Sequence, residues 1–198
     1  MKAIKENYRN SKVIQEITQA LQQGWAIYSS NAVPYSLYTI LAMVALWCAS
    51  TIPLLPSLMA PFISAGLYVA ISKGEVELTP ADFFDYGHLV KPIFMAGTVS
   101  TLITGLGFVL FLLPGIYFSI CFLFVTPIIL EANDSEIDIR GVLKDSRTII
   151  HGNGLFFSLL AVTNTLIILI AALPLGIGLP IALPLITCIN FYVFNKSK

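Results

Sequence analysis

The chain has 198 residues, of which 57% are hydrophobic and 11% charged, whereas soluble domains carry about 25% charged residues. With a mean hydropathy of +0.83, too few charges remain to cover a water-exposed surface, so the composition implies an integral membrane protein. The eleven basic and eleven acidic side chains cancel, which gives no basic patch for nucleic-acid binding.

The charges sit in four segments: 1–16, 73–91, 131–147 and 196–198. No Asp, Glu, Lys or Arg lies between Glu16 and Lys73, between Lys91 and Glu131, or between Arg147 and Lys196. A helix needs about 20 apolar residues to cross the hydrocarbon layer, and each uncharged interval is long enough for two crossings.

In chain order, residues 1–32 hold Lys2, Lys5, Arg9 and Lys12 but no apolar core before Val33, which does not read as a signal peptide. Within them Val13, Ile14, Ile17, Leu21 and Trp25 recur at helical spacing, which predicts an amphipathic helix over 11–30 lying at the membrane surface. Spans follow at 33–52 and 55–72, separated by the proline-bearing stretch Thr51–Pro56. A second amphipathic stretch is expected at 80–89. Thr79 would cap it, Pro80 fits its first position, Asp82 completes a capping-box pattern, and Phe83, Phe84 and Leu89 are expected to face lipid.

Spans at 92–112 and 115–131 are divided at Leu113-Pro114-Gly115, a candidate hairpin turn, because proline lacks an N–H and glycine accepts turn dihedrals. A third amphipathic helix is expected at 136–151, capped from Ser135 or Asp138. Its stripe is Ile139, Val142, Leu143, Ile149 and Ile150, and Arg140, Lys144 and Arg147 lie off that stripe. The last spans, 155–173 and 178–195, flank the stretch from Pro174 to Pro180. Pro180 and Pro184 leave open whether the sixth helix is full-length or re-entrant.

The expected fold class is thus an all-α polytopic membrane protein. Six transmembrane helices form three hairpins, with amphipathic helices on the cytoplasmic side. A single membrane domain covers 1–198, divided into an N-terminal amphipathic segment over 1–32 and a bundle over 33–195. An even number of crossings places both termini and every Lys and Arg on one side, which the positive-inside rule assigns to the cytoplasm. The amphipathic starts recur at intervals near 60 residues, read either as a degenerate threefold repeat or as the ordinary look of linked hairpins. Trp25, Tyr28, Tyr35, Tyr38, Tyr86 and Tyr192 are expected as interfacial anchors.

No charged residue falls within a span, which argues against proton coupling through the membrane core. His88 and His151 read as solvated residues at the ends of surface helices. Cys48, Cys121 and Cys188 stand alone, without metal-ligand spacing, and no cofactor is implied. Glu75, Glu77, Asp82 and Asp85 read as a solvated acidic loop. Gly105-Leu106-Gly107 lacks the strand-to-helix context of a phosphate loop. Gly97, Thr101 and Gly105 form a small-residue stripe suited to close helix approach, with a shorter version at Ala45 and Ala49. Asn164, between Thr163 and Thr165, is the most polar site within a span, and Asn190 is a second candidate near the end of the sixth. They read as helix–helix contacts or, for Asn164, as the lining of a polar cavity.

Leu113-Pro114-Gly115-Ile116-Tyr117 leads through an aromatic span to Pro127-Ile128-Ile129-Leu130-Glu131. Val142-Leu143-Lys144-Asp145-Ser146 and Gly152-Asn153-Gly154-Leu155-Phe156 follow. This stretch resembles the YciC-like family of uncharacterised bacterial membrane proteins, and it is also similar to the membrane domain of some glycerophosphoryl diester phosphodiesterases. The resemblance is sharpest over 113–157. It extends loosely to Gly24-Trp25 and to Pro61-Phe62-Ile63-Ser64-Ala65-Gly66. Relatives often carry a basic residue near the place that Cys121 occupies here. The phosphodiesterase catalytic domain is absent, so its activity does not carry over, and the resemblance implies a multi-helix protein of the bacterial inner membrane of unsettled function.

Three functions are compatible with these residues. The first is a non-enzymatic protein that organises or regulates membrane partners or helps maintain the envelope, using Arg140, Lys144 and Arg147 as a cytoplasmic surface. The second is a transporter or channel for a neutral or amphipathic solute. The third is a lipid-acting enzyme using Asp82, Asp85, His88, Asp145 or His151. The bilayer and possible membrane-protein partners are the expected contacts.

Overall fold

A computed structural model describes residues 2–52, 55–74, 78–174 and 176–197, with side chains from residue 11 onward. Pro53 and Leu54 of the first break, Glu75 and Glu77 of the acidic loop, and the side chains of Lys2, Lys5 and Arg9 lie outside the described residues. Among the described residues the regular structure is helical, with no strand. In chain order the helices are α1 (Lys2–Ser30), α2 (Ala32–Ala49), α3 (Leu55–Lys73), α4 (Val90–Leu110), α5 (Leu112–Cys121), α6 (Val125–Ala132), α7 (Ile139–Gly152), α8 (Gly154–Ala172) and α9 (Leu179–Lys196). Two 3₁₀ turns, Pro80–Phe84 and Gly87–Leu89, connect α3 to α4.

Six segments among the described residues are long and apolar enough to cross a membrane. They are α2, α3, Pro80–Leu110, Leu112–Ala132, α8 and α9. Much of their apolar surface points outward, Val33, Val109 and Leu113 each being close to 80% exposed (78%, 83% and 78%). Such a surface is stable only in lipid, where the absence of water forces backbone groups to pair within helices. The chain is therefore an all-α integral membrane protein. Pro184 sits inside an uninterrupted α9, so the sixth segment keeps its 18 residues.

The helix α1 does not lie apart on a surface. Ala20 and Gly24 are buried one helical turn apart, with Tyr28 a turn further on. An added Cβ on Gly24 would run into the Ile189 side chain and lie 2.9 Å from its Cα. The small residues thus let α1 lie directly against α9, while Ile14 and Trp25 remain exposed at 60% and 54%. The amphipathic helix expected over 11–30 therefore has one face packed on the bundle. Hydrophobic periodicity identifies the apolar face, but here the close-packed face is the one with the smallest side chains.

The 80–89 stretch forms two 3₁₀ turns rather than a surface helix. The Thr79 backbone N–H and hydroxyl both donate to Asp82 Oδ2, at 2.7 and 2.6 Å. Lys73, the last residue of α3, meets Asp82 at 2.6 Å and Asp85 at 3.0 Å. This fastening turns Phe83 and Leu89 inward, where both are buried, and leaves Phe84 outside, so only Phe84 faces lipid as expected. Tyr28, Tyr35 and Tyr86 are likewise buried and belong to the core rather than to an interfacial belt.

The second hairpin turns earlier than expected. Phe111 is extended (φ −160°, ψ 150°) and stands alone between α4 and α5. Its N–H caps α4 by donating to Gly107 O at 2.9 Å. Pro114 and Gly115 lie in the first turn of α5, where a missing N–H removes no helical bond.

Candidate functional site

The helix α7 is built as expected for an amphipathic helix but uses its apolar face differently. Asp138 is its N-cap, accepting from Arg140 N at 3.1 Å and Gly141 N at 3.2 Å. Val142 is buried in a cluster with Ala65, Leu89, Ile93, Val125 and Ile129. Ile150 joins a second cluster with Phe124, Phe157, Leu160 and Val193. The stripe therefore packs on the protein's own helices, and α7 acts as a strap across α4, α6 and α8.

Ser146 fixes this strap. It is fully buried. Its hydroxyl donates to Cys121 O at 2.7 Å and accepts from Phe124 N at 3.3 Å. Those backbone groups flank the break between α5 and α6, which divides the segment expected as one span over 115–131. A break inside a membrane segment is tolerated only where its freed groups find partners, and Ser146 supplies them. Sequence reasoning missed this residue, because Ser146 looks like a polar neighbour of the stripe and no Pro or Gly marks residues 122–124.

Arg140, Lys144 and Arg147 are carried on the strap and are exposed. Arg147 Nε donates to His151 Nε2 at 3.2 Å, and Tyr117 OH lies 2.7 Å from the same nitrogen. Arginine has no acceptor, so Nε2 is the acceptor in the contact with Arg147. At the other end, Lys91 meets Glu136 at 3.3 Å and His88 Nε2 lies 2.6 Å from Asn133 Oδ1. The two histidines are thus held apart in separate contacts, and Asp82 and Asp85 are engaged by Lys73. Among the described residues no three His, Cys, Asp or Glu side chains converge as metal ligands.

The polar residues within the spans fall into two groups. Asn164 Nδ2 donates to buried Asn190 Oδ1 at 3.0 Å, joining α8 to α9. Asn164 Oδ1 is buried without a hydrogen-bond partner. The stripe on α4 is split: Gly97 is buried where Pro61 of α3 packs against it, whereas Gly105 faces open space and Thr101 is exposed. Close approach in this hairpin is made instead by Gly107, whose added Cβ would lie 3.0 Å from Gly115 Cα and N. Ala49 is buried and Ala45 exposed on α2. Asn164 and Asn190 line neither of the two main surface grooves.

No family model matches the chain, and no curated protein or solved structure matches it either. The fold itself defines the class, an integral membrane protein with six apolar segments and a strap helix carrying an exposed basic face.

Proposed function

We propose that this is a non-enzymatic, multi-pass protein of a bacterial inner membrane, related to the YciC-like family, which organises or regulates membrane partners or envelope maintenance from its cytoplasmic face. The observation that carries the reading is the division of labour on α7. Its apolar face is committed to the bundle, with Val142, Ser146 and Ile150 all buried, so its exposed basic face is the one it presents for contact, with Arg147 also bonded to His151. Arg140, Lys144 and Arg147 stand at i, i+4 and i+7, about two helical turns along one side, and all three are exposed. Both chain termini lie with this face in the cytoplasm, and no cofactor takes part.

The test replaces Arg140, Lys144 and Arg147 together with glutamine and crosslinks the protein in native membranes. Loss of specific crosslinked species is expected, with unchanged membrane insertion. Capture identical to wild type would refute the reading. Orientation is checked by single cysteines at Ile52, Phe111 and Ile177, which a membrane-impermeant maleimide should reach only from outside the cytoplasmic membrane.

A further inference from the structure

A large groove lies away from the strap. It has a volume of about 960 Å³ and runs between α2, α3 and the 3₁₀ connector, at the upper end of the size range of small-molecule sites, about 300–1,000 Å³. Its long wall follows α2 from Val33 to Ala45, a distance of about 18 Å at the helical rise. Met59, Phe62 and Ile63 of α3 form the opposite wall, and Phe83 and Tyr86 close the connector side. Ser29, Ser30 and Asn31, at the corner between α1 and α2, stand at one end.

The polar atoms along the body of the groove are already used. Tyr38 OH donates to Ile63 O at 3.2 Å, and Tyr86 OH donates to Phe62 O at 3.1 Å. Tyr38 stacks on Phe83 with ring centroids 4.5 Å apart. Gly66 makes room for this arrangement, since a Cβ there would strike the Tyr38 hydroxyl and lie 2.6 Å from Phe83 O. The wall is therefore a fixed aromatic surface that offers no free hydrogen bond to a ligand along its length. Its occupant must be hydrocarbon.

Val33, Leu37 and Leu41 border the groove and are exposed, on a segment apolar enough to cross a membrane. Filling such a lining gains dispersion contacts, and inside a bilayer the material at hand to do so is acyl chain. The connector narrows the choice of head group. Among the described residues of the connector, Lys73 pairs with both Asp82 and Asp85, one cation against two carboxylates, and the Asp85 side chain is 66% exposed at the rim, between the groove residues Phe84 and Tyr86 in sequence. A surplus negative charge repels an anionic head group and attracts an ammonium.

We propose that this groove is a lipid-binding site that takes one acyl chain of a zwitterionic aminophospholipid, with its ammonium placed at Asp85. The site is separate from the basic face of α7 and does not depend on the function proposed for that face.

The test uses the full chain reconstituted in vesicles of equal parts phosphatidylethanolamine and phosphatidylglycerol, extracted in mild detergent, with retained lipid measured by mass spectrometry. Wild type is expected to retain phosphatidylethanolamine in preference to phosphatidylglycerol. Ala45→Trp, which fills the exposed deep end of the groove, should lower that retention about tenfold, equivalent to about 1.4 kcal/mol. Val44→Trp, on an exposed position outside the groove, should leave it unchanged. Equal retention in wild type and Ala45→Trp, or preferential retention of phosphatidylglycerol, would overturn the proposal. A second measurement needs no variant: phosphatidylethanolamine carrying a diazirine at its acyl terminus should label Leu41, Ala45 and Met59. Labelling concentrated on the outer face of α8 at Val162, Leu166 and Leu169, or recovery of a crosslinked protein segment in the groove in place of lipid, would overturn it as well.

Discussion

Replacing Ser146 by alanine removes a single oxygen but orphans two backbone groups. Cys121 C=O loses its donor at 2.7 Å and Phe124 N–H loses its acceptor at 3.3 Å. Ser146 is fully buried, so solvent cannot replace it without local opening. Leaving a buried polar group unpaired costs about 1–3 kcal/mol. Two such groups, one bonded through a long contact, give an expected loss of about 2–4 kcal/mol. The assay is equilibrium unfolding of the purified protein in mixed micelles titrated with sodium dodecyl sulphate, followed by tryptophan fluorescence. Thr148→Ala is the control, since its hydroxyl bonds Lys144 O on the exposed side of the same helix, where truncation should change stability by less than about 0.5 kcal/mol. If Ser146→Ala falls within that same margin, Ser146 is not what holds the break between α5 and α6, and the strap reasoning fails.

Three further outcomes follow from the packing. Gly24→Ala should destabilise by about 1–3 kcal/mol in the same titration, because the added methyl meets Ile189 backbone as well as side chain. Gly105→Ala, with open space around it, should be neutral or stabilising by up to about 1 kcal/mol through helix propensity alone. A double-mutant cycle of Asn164→Leu and Asn190→Leu should give a coupling of about 0.6 kcal/mol, the average for interhelical hydrogen bonds in membranes, and at most about 1.7 kcal/mol. A coupling of zero would mean that the 3.0 Å contact carries no energy.

These outcomes mark where sequence reading reached its limit. The spans were legible because hydrocarbon thickness sets their length and charge is excluded from them. The cap of α7 was legible because Asp138 precedes a stripe of fixed period, and the Thr79–Asp82 pair because its spacing is local. What covers an apolar face was not legible. Val142, Phe83 and Tyr35 are apolar whether lipid or protein lies against them, and all three turned out to be buried by protein. Small residues misled in the same way: Gly24 and Gly107 sit at close contacts, whereas Gly105, in the more regular stripe, faces open space. Periodicity describes one helix, but contact requires a second, and the partner's position is a tertiary fact. The break at 122–124 was invisible for the same reason, since the residue that bonds its freed groups, Ser146, lies more than twenty residues away.

The hairpin between α4 and α5 offers a direct test of where the chain turns. If the turn were made by Pro114-Gly115, Gly115 would be the sensitive glycine and Pro114 would be needed to end a helix. With the turn at Phe111, the order reverses. A Cβ on Gly107 would lie 3.0 Å from two backbone atoms of Gly115, so α4 and α5 must move apart to admit it. A Cβ on Gly115 would instead strike the ring of Phe108, which is 46% exposed and can swing toward lipid. Both substitutions gain up to about 1 kcal/mol of helix propensity, and overpacking costs about 1–3 kcal/mol where nothing can yield. Gly107→Ala should therefore be net destabilising by about 1–2 kcal/mol, and Gly115→Ala by less than half of that. Pro114→Ala should be within about 0.5 kcal/mol of wild type, because the first helical turn has no N–H bond for proline to break. Unfolding titrations that rank Gly115→Ala above Gly107→Ala, or a large loss from Pro114→Ala, would return the turn to Pro114-Gly115.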